Sequence, residues 1–243
     1  MNEPDISLIL PAYNEVKTIG GTISEVTAYF SERRLTHEII VAADGDDGTR
    51  ELVSDLGKRD PSILTIGNRV RTGKGRSIRE AVQVSKGTVV GYADADNKVP
   101  IREFDKIDPW LKRGYEVVSG SRALRESAIE RNQPLYRRLG SRGFSVFMQT
   151  VVGLPGITDT QCGFKFFPRH AARELFRLQR IDGYMFDVEI LALARKLGFR
   201  IQQVPIRWRD DGDSRLQLLR GNMQNVIDIF KIRLAHAAWG GKH

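Results

Sequence analysis

The chain has 243 residues, of which 41% are hydrophobic and 28% are charged, and this balance excludes wholesale disorder and predicts one large soluble domain. The net charge of +8 indicates a polyanionic partner, which could be nucleic acid, an anionic membrane surface or a phosphorylated substrate. The single cysteine, Cys162, excludes an internal disulfide and is typical of a reducing compartment.

Short apolar runs alternate with amphipathic segments along the first half of the chain. The opening segment, MNEPDISLILPAYNE, lacks a basic region followed by a long apolar stretch, so we expect no signal peptide. No run approaches 18 apolar residues, so we also expect no transmembrane helix. Strands are predicted at residues 7–10, 38–43, 62–67, 88–93 and 115–120, with helices at 15–30 and 76–85. Strands spaced by helices predict a doubly wound, mostly parallel α/β sheet.

The regular alternation weakens after Gly120. A basic, aromatic-rich segment runs from there to Gly153. The β-like sequence GFKFF follows, and a helix is then predicted near residues 188–197 and a strand near residues 201–208. A last helix is predicted after Leu216.

Polar or glycine-rich loops follow the first four predicted strands. They are PAYNE (11–15), DGDDGT (44–49), NRVRTGKG (68–75) and DADN (94–97). Ligands of open α/β sheets bind at this carboxyl edge, because its loops converge with helix N-termini. Asn14 and Asp47 could instead cap the following helices. The GKG sequence is not a Walker loop, because Gly67 is one residue too far from Gly73 and Gly75 replaces the hydroxyl residue that holds magnesium.

Two carboxylates one residue apart, Asp94 and Asp96, end the fourth apolar run. Residues two apart in an extended chain point to the same side, so the two carboxylates can converge beyond the sheet. They would repel each other unless a divalent cation joined them, and Mg²⁺ or Mn²⁺ suits such oxygen ligands. Substrate phosphates usually complete the coordination of such a cation. The alternative is an Asp-rich turn in which Asp96 or Asn97 caps the next helix.

The motifs occur in an order that resembles a known family. PAYNE, the aspartate after the second strand, GKG, DxD, SGSR, DTQCGFKFF and VPIRW together resemble a family 2 glycosyltransferase with the GT-A fold, from Leu8 to about Arg233. DTQCGFKFF with FDVEIL makes the chain similar to the polyprenyl-phosphate and dolichyl-phosphate sugar transferases, and in particular to dolichyl-phosphate β-glucosyltransferase-like proteins.

The resemblance implies a Rossmann-like, mostly parallel sheet with flanking helices and a C-terminal amphipathic helix. It implies a single glycosyltransferase domain over residues 1–243. Within that domain, residues 1–120 would form the nucleotide-sugar-binding half and residues 121–215 the acceptor-binding half, and residues 216–243 would form the C-terminal helix. The implied activity is inverting transfer of a hexose from a nucleotide diphosphate sugar to a polyprenyl or dolichyl phosphate, with UDP-glucose expected first and GDP-mannose second.

The resemblance also assigns a site for the nucleotide sugar. Glu15 or Asp44 is suited to accept a hydrogen bond from a uracil or guanine N–H. Lys74 would contact the nucleotide sugar, unless it is only a solvated charge, and the backbone amides around Gly73 and Gly75 suit close approach to a ligand. The residues implied to bind the nucleotide sugar are Pro11, Ala12, Tyr13, Asn14, Glu15, Asp44, Gly73, Lys74, Asp94, Ala95, Asp96, Gln161 and Lys165.

Asp94 and Asp96 are the implied ligands of Mg²⁺ or Mn²⁺. Polyprenol-phosphate mannose synthases of the family commonly have Gln two positions after the second Asp as a further ligand, whereas this chain has Lys98. A charged lysine cannot ligate a metal. Either the metal has fewer protein ligands and more water, or Lys98 itself neutralises the diphosphate.

Two further motifs carry implied site residues. Asp159 is an implied catalytic residue together with Asp96, and it would orient the acceptor or accept any remaining proton. Gln161 and Lys165 would contact the sugar or the phosphates. The family pattern places two further acids, at 187 and 189, near the site, but helix-capping or helix-surface roles are equally open for them.

Arginines cluster in the segment from Arg122 to Arg142. Their planar forks match phosphate oxygens, although a solvated basic helix would have the same composition. By resemblance, Arg122, Arg137 and Ser141 would hold the acceptor phosphate. The second pKa of a phosphate monoester is about 6, so this acceptor is already a nucleophile at pH 7 and a single in-line displacement would invert the anomeric carbon.

A lipid acceptor implies contact with a membrane surface. Six apolar residues recur at helical spacing near the C-terminus with basic residues beside them, which is typical of an interfacial helix, but the same face could pack on the domain's own core. They are Leu219, Met223, Val226, Ile227, Phe230 and Leu234. We therefore expect a cytoplasmic protein that is peripheral at the cytoplasmic face of the membrane. The alternatives are a transferase with a soluble acceptor and a nucleic-acid-binding protein, but no base-binding module is recognised, so nucleic acid is not an expected partner.

Overall fold

The computed structural model of the protein describes residues 3–129, 151–209 and 222–237. The strands are β1 (Ile6–Tyr13), β2 (His37–Asp44), β3 (Ile63–Ile66), β4 (Val89–Ala93), β5 (Val117–Ser121), β6 (Ala128–Ile129), β7 (Phe164–Pro168), β8 (Ile201–Pro205) and β9 (Arg207–Trp208). The helices are α1 (Ile19–Glu32), α2 (Thr49–Arg59), α3 (Lys74–Val84), α4 (Phe104–Lys112), α5 (Arg169–Leu178), α6 (Phe186–Lys196) and α7 (Asn222–Ala237), and a 3-10 turn (Ile101–Glu103) precedes α4.

Within the described residues, seven strands form one sheet in the order β3-β2-β1-β4-β7-β5-β8. Strand β7 is antiparallel to both of its neighbours, and the other six strands run in one direction. The predicted mostly parallel α/β fold with flanking helices is therefore confirmed. Strands from both predicted halves share the sheet, and β5 itself crosses the predicted boundary after residue 120. The division into a nucleotide-sugar-binding half and an acceptor-binding half stays a prediction.

Helices cover both faces of the sheet, which explains why its strands are apolar at successive positions. In β1, Ile9 belongs to the core that includes helices α3, α5 and α6 on one face, whereas Leu8 and Leu10 belong to the core that includes α1 and α4 on the other. All three side chains are fully buried. Two hydrophobic cores, one on each face, hold the sheet between them.

The predicted strands and helices are present, with shifted ends. Helix α1 begins at Ile19 instead of residue 15, because residues 15–18 form a turn closed by hydrogen bonds from the Thr18 and Ile19 N–H groups to the Glu15 carbonyl. The single strand predicted near residues 201–208 is split in two, because β8 pairs with β5 of the main sheet whereas β9 pairs with β6. None of the helices in the described parts of the chain has the length and apolar character needed to cross a bilayer.

The antiparallel β7 determines what arrives at the carboxyl edge of the sheet. Strands β1, β2, β4 and β5 all end at this edge because they are parallel. Strand β7 runs the opposite way, so it begins there. The loop that precedes Phe164 is therefore brought beside the loops that follow the parallel strands.

Strand β7 packs against β4 so closely that a glycine is required opposite Phe166. Gly91 pairs with Phe166, and a Cβ built on Gly91 would lie 2.0 Å from the Phe166 ring. Gly91→Ala should therefore lower the free energy of unfolding by about 1–3 kcal/mol, because the buried ring must move. Urea unfolding measures the change.

Gly21→Ala is the matched control for this substitution. Gly21 lies in α1 and a Cβ there meets nothing within 4 Å. Alanine at this helix position should raise the free energy of unfolding by roughly 0.5–1 kcal/mol. Equal unfolding midpoints for Gly91→Ala and the unmodified protein would contradict the close packing of β4 against β7.

Candidate active site

The residues predicted to bind a nucleotide sugar lie mainly at the carboxyl edge. Pro11 is half-buried and Ala12 is buried near the end of β1, whose last residue, Tyr13, is paired in register with Asp44 at the end of β2. Asn14 follows with a φ of 56°, and it does not cap α1, which begins at Ile19. The loops after β1 and β2 are thus adjacent.

Asp44 fixes the loop that follows β3. Its buried carboxylate accepts hydrogen bonds from the Asn68 N–H at 3.1 Å, from both the N–H and the hydroxyl of Thr72 at 2.7 Å, and from the Ser77 hydroxyl at 3.2 Å. Glu15, the other predicted base-contacting acid, accepts a hydrogen bond from the Thr18 hydroxyl. The contact of either acid with a nucleobase stays a prediction, and the structure gives Asp44 a second role as organiser of the loop.

Two exposed aromatic rings are joined by an arginine that the sequence motifs did not single out. The Arg71 guanidinium lies 4.6 Å from the centre of the Tyr13 ring and 5.7 Å from that of Tyr184, and it donates a 2.6 Å hydrogen bond to the Tyr184 hydroxyl. Tyr13 is 41% exposed and Tyr184 is 51% exposed. Arg71 lies within the NRVRTGKG loop, so only its position in that loop could have marked it.

The GKG sequence places a lysine against the first DxD carboxylate. Lys74 Nζ lies 2.5 Å from Asp94 Oδ1. Burial opposes the charge on Lys74, but the carboxylates of Asp94 and Asp187 outweigh it and raise the lysine's pKa. Gly73 has a φ of +109°, and a Cβ there would lie 2.4 Å from the Asp182 carbonyl oxygen, so the close approach of these two loops requires glycine.

The DxD carboxylates lie close enough to influence each other. Burial and the Asp94 charge raise the pKa of Asp96, although Lys98, at 3.5 Å from Asp96, opposes the shift. Asn97 has a φ of 55° and donates a 2.6 Å hydrogen bond to Glu25. The next helical residue is Ile101, so the alternative in which Asp96 or Asn97 caps a helix is wrong.

Two oxygen ligands at this edge fit Mg²⁺ or Mn²⁺, because hard divalent cations prefer carboxylates. The pKa of Asp96 is raised first by burial and then by the Asp94 charge, and a cation between the two carboxylates would offset both effects. The described residues contain no group of three or more His, Cys, Asp or Glu side chains with the geometry of a metal site. Among the described residues, Asp94 and Asp96 are therefore the two carboxylates that would hold the cation. Ala95, between them, is buried and its carbonyl accepts a hydrogen bond from Thr22 at 2.8 Å.

Asp159 and Arg122 form a bidentate ion pair. Arg122 donates from Nε at 2.8 Å, from Nη2 at 2.9 Å and from its backbone N–H at 2.9 Å to the Asp159 carboxylate. Burial disfavours ionised Asp159, but Arg122 outweighs burial and lowers the pKa of the carboxyl. The lowered pKa makes Asp159 a weak base, which disfavours its predicted role as a proton acceptor. Its predicted role in orienting the acceptor stays a prediction.

Lys165 is the clearest correction to the sequence analysis. It is completely buried, and its ammonium group donates to the Thr160 carbonyl at 3.2 Å, the Cys162 carbonyl at 2.6 Å and the Asp187 carboxylate at 2.6 Å. Three acceptors satisfy the three N–H donors of a lysine. Direct contact of Lys165 with the nucleotide sugar is therefore wrong, and the residue instead fixes the loop that precedes β7.

The two acids at the start of α6 are buried, so a helix-surface role for them is wrong. Asp187 accepts a 2.5 Å hydrogen bond from the Tyr92 hydroxyl in addition to the one from Lys165. Glu189 accepts from the Arg180 N–H at 3.0 Å and the Ile181 N–H at 2.8 Å, and burial raises its pKa. Both acids hold loops at the carboxyl edge, which the sequence alone did not indicate.

Three residues of the predicted site remain, and they are Gln161, Arg137 and Ser141. Gln161 is half-buried, its N–H donates to Asp159 at 3.3 Å, and its predicted contact with the sugar or phosphates stays a prediction. Cys162 is buried, and burial raises the pKa of its thiol to about 12, which does not suit a nucleophile. Arg137 and Ser141, predicted to hold the acceptor phosphate, lie outside the described residues.

Gly163 gives a direct test of the position of Asp94. The Gly163 carbonyl accepts a 3.1 Å hydrogen bond from the Asp94 N–H, and a Cβ on Gly163 would lie 2.2 Å from Asp94 Oδ2. Gly163→Ala should displace the carboxylate and lower turnover of a nucleotide sugar by about tenfold, which is ~1.4 kcal/mol of transition-state stabilisation. Steady-state kinetics measures the loss, and the melting temperature checks the fold.

Gly183→Ala is the control for Gly163→Ala. The nearest atom to a Cβ on Gly183 is Asp228 Oδ2 at 3.7 Å, an ordinary contact, so turnover should stay within about twofold of the unmodified rate. Unchanged turnover in Gly163→Ala with an intact fold would mean that Asp94 is not needed in its present position.

Comparisons with known proteins agree with this geometry. The sequence pattern of Glycosyl transferase family 2 matches residues 7–176. A dolichyl-phosphate beta-glucosyltransferase of Trichomonas vaginalis is 34% identical over 239 residues, which is 94% of this chain and 70% of that protein. Proteins of the same description from Dictyostelium discoideum and Homo sapiens are 32% and 30% identical, cover 95% and 96% of this chain, and are matched over 74% and 77% of their own length.

Solved structures show the same fold. Mannosyl-3-phosphoglycerate synthase from Rubrobacter xylanophilus has a TM-score of 0.71 at 21% identity, over 98% of this chain and 76% of that one. Glucosyl-3-phosphoglycerate synthase from Mycobacterium tuberculosis, crystallised with Mn²⁺, UDP and phosphoglyceric acid, has a TM-score of 0.68 at 21% identity, over 95% of this chain and 78% of that one. The family match and the relatives show that this chain is a glycosyltransferase and belongs to glycosyl transferase family 2.

Proposed function

We propose that the protein transfers glucose from UDP-glucose to a polyprenyl phosphate of the dolichyl type, with inversion at the anomeric carbon. One observation carries the proposal. Arg122, at the end of β5, is held in a fixed orientation by buried Asp159 and is the more exposed partner, at 30% against 8% for the acid. A preorganised guanidinium at the carboxyl edge is suited to bind the phosphate group of an acceptor.

The sites for the nucleotide sugar and for the acceptor would adjoin each other. Burial opposes the charge on Arg122, but the carboxylates of Asp159 and of Asp94 raise its pKa. Arg122 therefore lies within electrostatic reach of the DxD motif. This proximity supports an acceptor phosphate at Arg122 that faces a sugar whose diphosphate is held near Asp94.

The relatives support the choice of substrates. Three proteins that are 30–34% identical over most of this chain are dolichyl-phosphate beta-glucosyltransferases. The structural neighbour from Mycobacterium tuberculosis has also been crystallised with Mn²⁺ and UDP-glucose. UDP-glucose is therefore the nucleotide sugar that we propose, and GDP-mannose is the second candidate.

The chain's own residues account for the reaction as follows. Asp94 and Asp96 would hold Mg²⁺ or Mn²⁺, which when bound neutralises charge on the diphosphate leaving group. Lys74 and Lys98, each beside one of these carboxylates, add positive charge at the same place. An acceptor phosphate oxygen forms a bond to the anomeric carbon while the bond from that carbon to the diphosphate oxygen breaks.

No proton needs to move if the acceptor enters as a dianion, since the second pKa of a phosphate monoester is about 6. The low basicity of Asp159 is consistent with this chemistry, because Asp159 would orient Arg122 and would not abstract a proton. Catalysis would then depend on positioning and on stabilising the leaving group.

A soluble acceptor is the second candidate for the function. The structural neighbours are named for transfer to 3-phosphoglycerate, which is also a phosphate monoester. An arginine site for a phosphate does not by itself distinguish the two acceptors. The decisive test therefore has to compare a lipid phosphate with 3-phosphoglycerate.

Transfer of labelled glucose should be followed from UDP-glucose, with GDP-mannose in parallel, to polyprenyl phosphate and to 3-phosphoglycerate in the presence of Mn²⁺. We expect polyprenyl phosphate to be glucosylated with at least tenfold higher kcat/KM than 3-phosphoglycerate. Arg122→Ala should raise the KM for the lipid phosphate by roughly 10- to 100-fold, since a hydrogen bond to a charged group contributes about 1.5–3 kcal/mol. UDP-glucose affinity should change less than about twofold.

Arg125→Ala is the control, because Arg125 is an exposed arginine three residues further along the same loop. Its KM for the lipid phosphate should stay within about twofold of the unmodified value. Preferential use of 3-phosphoglycerate would overturn the lipid acceptor. An equal loss of UDP-glucose affinity in Arg122→Ala would place Arg122 in the nucleotide-sugar site.

Helix α7 supports attachment to a membrane surface. Its apolar residues face two directions: Ile229 and Ile232 are buried in the core, whereas four others are exposed, from 44% at Val226 to 69% at Leu234. The exposed four are Val226, Ile227, Phe230 and Leu234. This arrangement does not favour packing of that face on the domain's own core. Of the other predicted residues of the face, Leu219 lies outside the described residues.

We propose that this exposed face lies on the cytoplasmic surface of a membrane. The basic residues Lys231 and Arg233 are exposed on the same helix, and the whole chain carries a net charge of +8. Anionic lipids of the cytoplasmic leaflet attract such a surface. A polyprenyl phosphate is anchored in the bilayer by its apolar chain, so an enzyme at the interface would reach the phosphate without extracting the lipid.

Flotation with liposomes tests the membrane contact. The protein should float with anionic vesicles at low salt, and less with neutral vesicles or at high salt. Phe230→Glu with Leu234→Glu should abolish flotation, because two charges would enter the apolar layer. The control is Leu64→Glu with Val84→Glu, which makes the same change in charge at two exposed apolar positions outside α7. This control should still float with anionic vesicles. Absence of flotation with every vesicle would overturn the membrane contact.

A further inference from the structure

A glutamine on strand β8 holds the loop that carries Asp159. Gln203 Oε1 accepts hydrogen bonds from the Thr158 N–H at 3.0 Å, the Thr158 hydroxyl at 3.2 Å and the Asp159 N–H at 3.2 Å. Gln203 Nε2 donates to the Gly156 carbonyl at 2.9 Å. One side-chain amide therefore hydrogen-bonds the backbone of Gly156, Thr158 and Asp159.

The contacts of Gln203 continue directly to Arg122. The Asp159 N–H is held by Gln203, while the Asp159 carboxylate receives three hydrogen bonds from Arg122. The Ser121 and Thr158 hydroxyls, 3.3 Å apart, give a second connection between the loop and the end of β5. The position of the Arg122 guanidinium thus depends on where Gln203 holds the loop.

Glutamine is chemically suited to this position because one amide supplies both an acceptor and a donor. A leucine of similar size could fill the space but could bond neither the two N–H groups nor the Gly156 carbonyl. Lys165 holds the far side of the same loop, through the carbonyls of Thr160 and Cys162. Gln203 is the better residue to change, because Lys165 is completely buried whereas Gln203 is half-buried.

We propose that Gln203 is a positioning residue for the acceptor phosphate, acting through the backbone of Asp159 on the guanidinium of Arg122. This inference rests on the proposed function, which assigns Arg122 to the acceptor. Gln203 would act on the loop and not on either substrate, so its loss should weaken acceptor use and leave the nucleotide-sugar site intact.

The test is Gln203→Leu, with Gln202→Leu as the control on the adjacent, oppositely facing position of β8. Gln203→Leu should raise the KM for polyprenyl phosphate about tenfold, while UDP-glucose affinity by calorimetry and the melting temperature remain near those of the unmodified protein. The tenfold change corresponds to ~1.4 kcal/mol. Gln202→Leu should leave the KM for polyprenyl phosphate within about twofold.

A double substitution distinguishes positioning from a general structural effect. In the Arg122→Ala background, Gln203→Leu should add little, because the group that it positions is already absent; contacting residues of one network are non-additive. Additive effects of the two substitutions would overturn the proposal. If Gln203→Leu does not fold, Gln203→Asn serves instead, because its amide is one methylene too short to make all the contacts, and it should raise the KM for the acceptor alone.

The outcomes separate this inference from the proposed function. If Arg122→Ala leaves the KM for polyprenyl phosphate unchanged, the assignment of the acceptor site itself is wrong. If Arg122→Ala raises that KM but folded Gln203→Leu does not, the acceptor site stands and the role of Gln203 is wrong. An equal loss of UDP-glucose affinity in Gln203→Leu would also overturn positioning of the acceptor.

Discussion

The buried ion pair between Lys165 and Asp187 is the interaction on which the site depends. Lys165 lies on β7, an interior strand of the sheet, and Asp187 lies in the first turn of α6; both residues are buried. Loss of either partner would leave an uncompensated charge in the core, at a cost of about 3–5 kcal/mol. The same ammonium group holds the Thr160 and Cys162 carbonyls, so one charge fixes a strand, a helix and the loop that leads to Asp159.

Helix α6 connects the two parts of the site through its acidic first turns. Asp187 acts on the loop before β7, whereas Glu189, two residues later, holds the N–H groups of Arg180 and Ile181. The neighbouring Asp182 carbonyl accepts the Gly75 N–H at 2.8 Å, so this segment supports the loop that presents Lys74 to Asp94. Residues of α6 therefore stabilise both the loop that presents Lys74 and the loop that carries Asp159.

The sequence predicted the parallel strands and their ligand-binding edge because parallel strands buried on both faces are continuously apolar and end in polar loops. It did not predict that GFKFF inserts antiparallel between β4 and β5, because that pairing joins residues far apart in the chain. Nor did it predict the burial of Lys165, since a lysine that gains a carboxylate 22 residues away looks in sequence like any surface lysine. Contacts such as Arg71 with Tyr184, 113 residues apart, are equally invisible to local patterns.

The interior position of β7 has a consequence for how the chain assembles during synthesis. Strand β7 separates β4 from β5, yet it leaves the ribosome after both of them. Until it arrives, β5 has no partner on that side, and the buried ion pair of Lys165 cannot form before Asp187 has also been synthesised. During that interval the edge of β4 stays open, and an unpaired strand edge of this kind is prone to pair with another chain.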